Sequence, residues 1–259
     1  SAEDTVLKNR LLQLECHFTW GLNKNDTDFK DLQIRLEEQL KLDLGKETGG
    51  SHTYSYMGFV KFLLGSNTEA LSYFEKSVEL TKSQGNDCDK LLVIAYGDLA
   101  WLHYHMGHFA ECESYLNKFG DIKEKYPSVP YAEVLGEKGW TFLKCSRKYY
   151  DMAKECFNEA LKLNPEDGEL NAGLAIVLYR IAHILHDSTD SNVIDQLRRA
   201  IATNPDNDVL KVLLALKLTV QQDYHEAESL VEQALQRSPE HPHVIRYVGI
   251  YLRNQGSVD

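Results

Sequence analysis

Ala160-Leu-Lys-Leu-Asn-Pro165, Ala200-Ile-Ala-Thr-Asn-Pro205 and Ala234-Leu-Gln-Arg-Ser-Pro239 set an alanine five residues before a proline three times over. The last two prolines lie 34 residues apart and the first two 40 apart, so the longer interval reads as the same unit carrying a six-residue insertion.

A period of 34 is that of the tetratricopeptide helix-turn-helix unit. Such a unit cannot bury its own apolar face and must stack on a neighbour. The expected fold is therefore all-α, a right-handed superhelix of stacked units whose concave groove binds rather than catalyses. On the 34-residue ruler, residues 1–50 form N-terminal capping helices, 51–241 form five repeats, and 242–259 form the first helix of a truncated sixth. That half repeat suggests a portion of a longer protein, or an end that pairs with another chain.

Composition agrees with a binding scaffold. The chain has 259 residues, 43% of them hydrophobic, and a formal charge of −11. It lacks the roughly 20 consecutive apolar residues of a membrane span, and its first residues lack a signal pattern, so a soluble intracellular protein is expected. Five cysteines without a CxxC pair read as free thiols. The acidic balance opposes a generic nucleic-acid coat but leaves room for a basic pocket inside an acidic exterior.

The frame assigns individual residues. Gly58, Gly65, Ala70 and Phe74 fit the first repeat, and Ala100, Gly107 and Phe109 fit the second, with Cys112 in place of the usual alanine. The third fits if two residues are inserted around Arg147–Tyr149, and the fourth holds its insertion within Ile181–Asn192. Ahead of the array, Asp4–Trp20 and Asp28–Leu44 read as amphipathic helices, closed by a breaker from Gly45 to Gly50.

The first helix of each pair should line the groove. Position 9 gives Phe59, Trp101, Trp140, Ile176, Leu216 and Ile250, and position 13 gives Leu63, His105, Lys144, Arg180, Val220 and Asn254. Trp140/Lys144 and Ile176/Arg180 are then apolar and cationic neighbours one turn apart. The sixth helix adds His243, Arg246, Tyr247 and Arg253, and the second capping helix adds Arg35 and Gln39. Guanidinium groups pair with phosphate while aromatic faces stack bases, so an RNA end suits this set. Taken singly, each cation is as well explained as solvated surface, and Trp140 as core. Only the shared frame makes them a site.

Several strings stand in order along the chain: Cys16-His-Phe-Thr-Trp20, Trp101-Leu-His-Tyr-His-Met-Gly107, Gly139-Trp140 with Leu143-Lys-Cys145, Asn204-Pro-Asp-Asn207, Lys211-Val-Leu-Leu-Ala-Leu-Lys217, Arg246-Tyr247 and Gly256-Ser-Val-Asp259. With them the chain resembles the interferon-induced proteins with tetratricopeptide repeats over essentially its whole length. The resemblance implies a cytoplasmic antiviral effector of innate immunity that captures the 5′ end of non-self single-stranded RNA, carrying a triphosphate or an incompletely methylated cap, and blocks its translation. It implies RNA contacts at Arg35, Gln39, Lys144, Tyr150, Arg180, Arg246, Tyr247 and Arg253, with Trp140 and Ile176 near a cap or first base. Homodimers, hetero-oligomers with family members, and translation-machinery or signalling partners are also implied. Departures from the family fall at His243, Val209 and Asp43.

Other chemistries find no support. His103, His105 and His108 invite a zinc reading, but His103 and His105 point about 200° apart on a helix and cannot share a metal, and aromatic-rich packing is the better account of the three. Gly45-Lys46-Glu47 lacks the earlier glycine and the following Ser/Thr of a phosphate-binding loop. No catalytic grouping stands out, so neither an enzyme, a metal nor a cofactor is expected. The rivals to RNA binding are an adaptor that holds an apolar peptide on Phe59, Trp101 and Trp140, and a dimerising structural fragment.

Overall fold

The computed structural model describes residues 1–43, 50–187 and 191–256. The predicted breaker at 45–49 and the terminal Ser257–Asp259 lie outside these, as does the side chain of Asp43. The described residues form α-helices joined by turns, short 3₁₀ segments and no strands. The chain divides into two compact units, Ser1–Tyr149 and Tyr150–Asp259.

The first unit holds α1 (Ala2–Leu11), α2 (Phe29–Asp43), α3 (Ser51–Leu63), α4 (Asn67–Ser83), α5 (Leu92–His105), α6 (Phe109–Lys125) and α7 (Ala132–Cys145). Helices α3 and α4 pack as one hairpin and α5 and α6 as another. Two glycine roles make this possible. Gly65 and Gly107 take φ of 87° and 77° in the connecting turns, a left-handed conformation that costs other residues energy. Gly58 lets the two helices approach, because a Cβ there would stand 2.6 Å from the ring of Phe74.

The second unit holds α8 (Tyr150–Leu163), α9 (Gly168–Ile184), α10 (Ser191–Thr203), α11 (Asp208–Val220), α12 (Tyr224–Arg237) and α13 (Pro242–Gly256). The repeated Asn-Pro strings explain its punctuation. Proline cannot continue α8 or α10, and two residues later Asp167 and Asn207 accept the Leu170 and Leu210 N–H groups at 2.9 and 3.4 Å to cap α9 and α11. The fourth-repeat insertion lengthens α9 to 17 residues, against 13 in α11. The third-repeat insertion is a 3₁₀ turn at Arg147–Tyr149, with Tyr149 stacked on Phe142 at 5.2 Å and its hydroxyl bonded to Asp26.

The N-terminal segment departs from expectation. Instead of one helix over Asp4–Trp20, α1 stops at Leu11, Cys16 is extended, and only a 3₁₀ turn follows at His17–Thr19. The reason is a buried carboxylate. Asp98 of α5 accepts the His17 backbone N–H at 3.0 Å, meets the His17 ring at 2.8 Å and accepts the Ser55 hydroxyl at 3.1 Å. A helical path would withdraw His17 from this acceptor. Cys16 nests against Gly97, where a Cβ would come within 2.9 Å of its own Cβ.

Phe18 then lies flat on Trp101 at 6.0 Å, with Phe59 edge-on at 5.1 Å. The Trp101 indole N–H donates to the Leu11 carbonyl at 3.1 Å. Phe59 and Trp101 are accordingly 3% and 8% exposed, covered by the chain itself. Their predicted place on an open groove is corrected.

Removing a buried acceptor leaves each of its donors desolvated and unpaired, at about 1–3 kcal/mol apiece. Asp98→Ala is expected to lower stability by about 3–5 kcal/mol in urea unfolding followed by circular dichroism. A loss below about 1 kcal/mol would show that the N-terminal segment is held by apolar contacts alone.

Candidate nucleic-acid interface

The predicted site residues fall into two sets, one in each unit. In the first unit, burial of Phe29, Leu32 and Leu36 orients α2 and leaves Arg35 exposed. Its guanidinium bonds Asp31 at 3.0 Å and donates to the Lys144 carbonyl at 3.1 Å, at the C-terminal turn of α7, the end of a helix that favours a cation. Gln39 follows one turn along α2. On α7, the Lys144 ammonium stands 5.9 Å from the centre of the Trp140 ring, and both side chains are half-buried.

Beneath them a narrow cavity is lined by His52, Thr53 and Tyr56 from α3 and by Glu137, Trp140, Thr141 and Lys144 from α7. Glu137 is the member that sequence reasoning missed. It is 9% exposed. Burial raises its pKa to about 7, the charge of Asp98 adds to the rise, and His17 and Lys144 oppose it. The available signal was an acid between Gly136 and Gly139, on the helix face that carries Trp140 and Lys144.

In the second unit, the Arg180 guanidinium lies 5.9 Å from the ring centre of Tyr150, with Ile176 one turn before it on α9. On α13, Arg246 sits 4.9 Å from the Tyr247 ring centre and donates to its hydroxyl at 3.2 Å. His243 and Arg253 are exposed on the same helix. Two further residues belong here. Lys217 of α11, 9% exposed, stands 5.4 Å from the Tyr179 ring centre and donates to the Asp187 carbonyl at 3.3 Å. Burial pushes Tyr179 up to about 12, and Tyr247 adds to the rise. Lys217 falls outside the position 9 and 13 rule, so only the packing of α11 against α9 and α13 reveals it.

Each cation–aromatic pair contributes about 0.5–2 kcal/mol depending on exposure, and each leaves a ring face and a charge side by side. A wider cleft between α8 and α10 is less selective, with Asp151, Glu155 and Glu159 opposing Lys154, Lys162 and Arg199. Among the described residues, no three His, Cys, Asp or Glu side chains are placed to hold a metal, and no helix is long and apolar enough to cross a membrane. The free cysteines are mostly buried, which pushes the Cys112 thiol up to about 11 and makes it a poor nucleophile.

A tetratricopeptide repeat pattern matches residues 51–124 and a second matches 132–167. The human antiviral innate immune response effector IFIT1 is 36% identical over 268 residues, which cover 100% of this chain and 55% of that protein. Human interferon-induced protein with tetratricopeptide repeats 2 is 34% identical, over 98% of this chain and 54% of the relative. The chain belongs to this family. It spans little more than half the length of these interferon-induced relatives. Two solved family structures superpose on it, each covering 98% of this chain: a human IFIT1 dimer with m7Gppp-AAAA, 35% identical with a TM-score of 0.87 over 57% of that chain, and one with PPP-AAAA, 35% identical with a TM-score of 0.83 over 56%.

Glu137 gives a pH signature within this family member. A carboxyl whose folded pKa lies above its unfolded value binds more protons when folded, so it removes stability as pH rises from about 4.5 through 7. Glu137→Gln is therefore expected to gain on the parent by up to about 3 kcal/mol above pH 7, with the gap closing below about pH 4.5. Parallel stability-versus-pH curves for the two proteins would refute the buried, high-pKa assignment.

Proposed function

We propose that this chain binds single-stranded RNA by its 5′ end, a triphosphate or an incompletely methylated cap, and acts as an antiviral effector that withholds non-self RNA from translation. The observation that carries the reading is the recurrence of one pair type at the predicted positions: Trp140 with Lys144, Tyr150 with Arg180, Tyr247 with Arg246. Each offers a face for a base and a charge for a phosphate, which suits a short, highly charged 5′ end. The relatives solved with m7Gppp-AAAA and PPP-AAAA support the same ligand class.

In this reading Arg35, Gln39, Trp140 and Lys144 act from the first unit, and Tyr150, Ile176, Arg180, His243, Arg246, Tyr247 and Arg253 from the second. Residues 51–241 serve as five repeats behind a cap at 1–50, with a half repeat at 242–259. The chain acts by binding rather than catalysis, in the cytoplasm, and self-association or assembly with family members belongs to the same proposal. Contacts with the translation machinery or signalling proteins would follow from it. An apolar-peptide adaptor is disfavoured, because Phe18 already covers Phe59 and Trp101.

Fluorescence anisotropy with one short RNA in 5′-triphosphate and 5′-hydroxyl forms, at near-physiological salt, tests this. The triphosphate form is expected to bind more tightly, and Arg180→Glu to weaken it by about tenfold or more, the scale of one charge-assisted hydrogen bond. Lys162→Glu, in the α8–α10 cleft, should change affinity by less than about twofold. Equal losses from the two reversals would reduce the site to diffuse electrostatics, which salt also erodes.

A further inference from the structure

The turn between α5 and α6 brings together two histidines that helix spacing alone keeps apart. With Gly107 in the left-handed conformation, the His108 N–H donates to the His103 carbonyl at 2.8 Å, closing the turn. This folds the two side chains onto one another. Their Nδ1 atoms face at 3.4 Å, with ring centroids 5.6 Å apart. The His103 ring lies flat on Tyr115, 5.6 Å away at an interplanar angle of 12°, and is 8% exposed, so its orientation is fixed by packing. His108 is exposed.

Two imidazole nitrogens bound to a tetrahedral ion at about 2.0–2.1 Å stand about 3.3–3.4 Å apart. The pair already has that spacing. His105, excluded as a partner of His103 by helix geometry, instead stacks on Trp101 at 5.8 Å. We propose that His103 and His108 form a two-histidine site for a divalent transition ion of the zinc class, with both Nδ1 atoms as ligands.

Without metal, one Nδ1–H donates to the other ring. With both Nδ1 atoms on the metal, each ring carries its proton on Nε2. Glu111, one turn along α6 from His108, and Glu75 of α4 are carboxylates whose charge reaches His103. Since no third ligand is already in place among the described residues, water or one of these carboxylates turned inward completes the shell. Joining the end of α5 to the start of α6 stabilises the folded state by mass action.

Thermal unfolding of the whole chain in EDTA and in stepwise zinc or nickel chloride tests this. The parent is expected to rise by about 2–4 °C when the metal exceeds its Kd several-fold, and His108→Gln to show no rise. His108 is exposed, so that variant keeps the fold. Cobalt(II) should give visible absorption in the parent that His108→Gln lacks. No rise in the parent, or an equal rise in His108→Gln, overturns the site, and neither result bears on RNA binding.

Discussion

The first unit depends on one buried carboxylate. Asp98 projects from the middle of α5 into the packed interior, 0% exposed, where an ionisable group is stable only if its acceptor capacity is used. Three donors use it, two from His17 and one from Ser55. Because both His17 contacts come from a non-helical segment, satisfying Asp98 breaks the N-terminal helix and lays residues 11–20 over α3 and α5. The aromatic cover of Phe18 on Trp101 and Phe59 follows from that path. Part of a surface that tetratricopeptide scaffolds otherwise offer to ligands is thereby occupied by the chain itself.

The covering confines what the first unit can offer. With Phe59 and Trp101 buried, the predicted RNA contacts of the first unit lie on α2 and on the C-terminal half of α7. Arg35 ties these two elements together through the Lys144 carbonyl. Beside them Glu137 sits in poor solvent, and near neutral pH its charge changes next to Lys144. In the second unit the inner helices α9, α11 and α13 carry cations held over tyrosine rings, an arrangement that keeps long side chains ordered at low entropic cost.

Much of this was legible beforehand, for local reasons. Alanine and proline spacing specified the units, since a helix end and a close-packed contact are set by residue type. The inserted residues at Arg147–Tyr149 and in the Ile181–Asn192 stretch were located because they break a counted frame. Glu137 and Lys217 were not legible, since an acid or a lysine inside a helical pattern reads as surface until a neighbouring element is packed over it.

The sequence by itself determined the helix-turn-helix units, their punctuation and the family to which the chain belongs. The units and their punctuation rest on backbone stereochemistry and residue spacing, which act over a few residues, and the family on strings that stand in order along the chain. Tertiary structure alone decided that Phe59 and Trp101 are covered, that residues 12–20 are not α-helical, and that His103 meets His108 rather than His105. Each outcome turns on a partner or a turn geometry that no helical period encodes: a buried acceptor on another helix, an aromatic ring from another segment, and a glycine that reverses the chain.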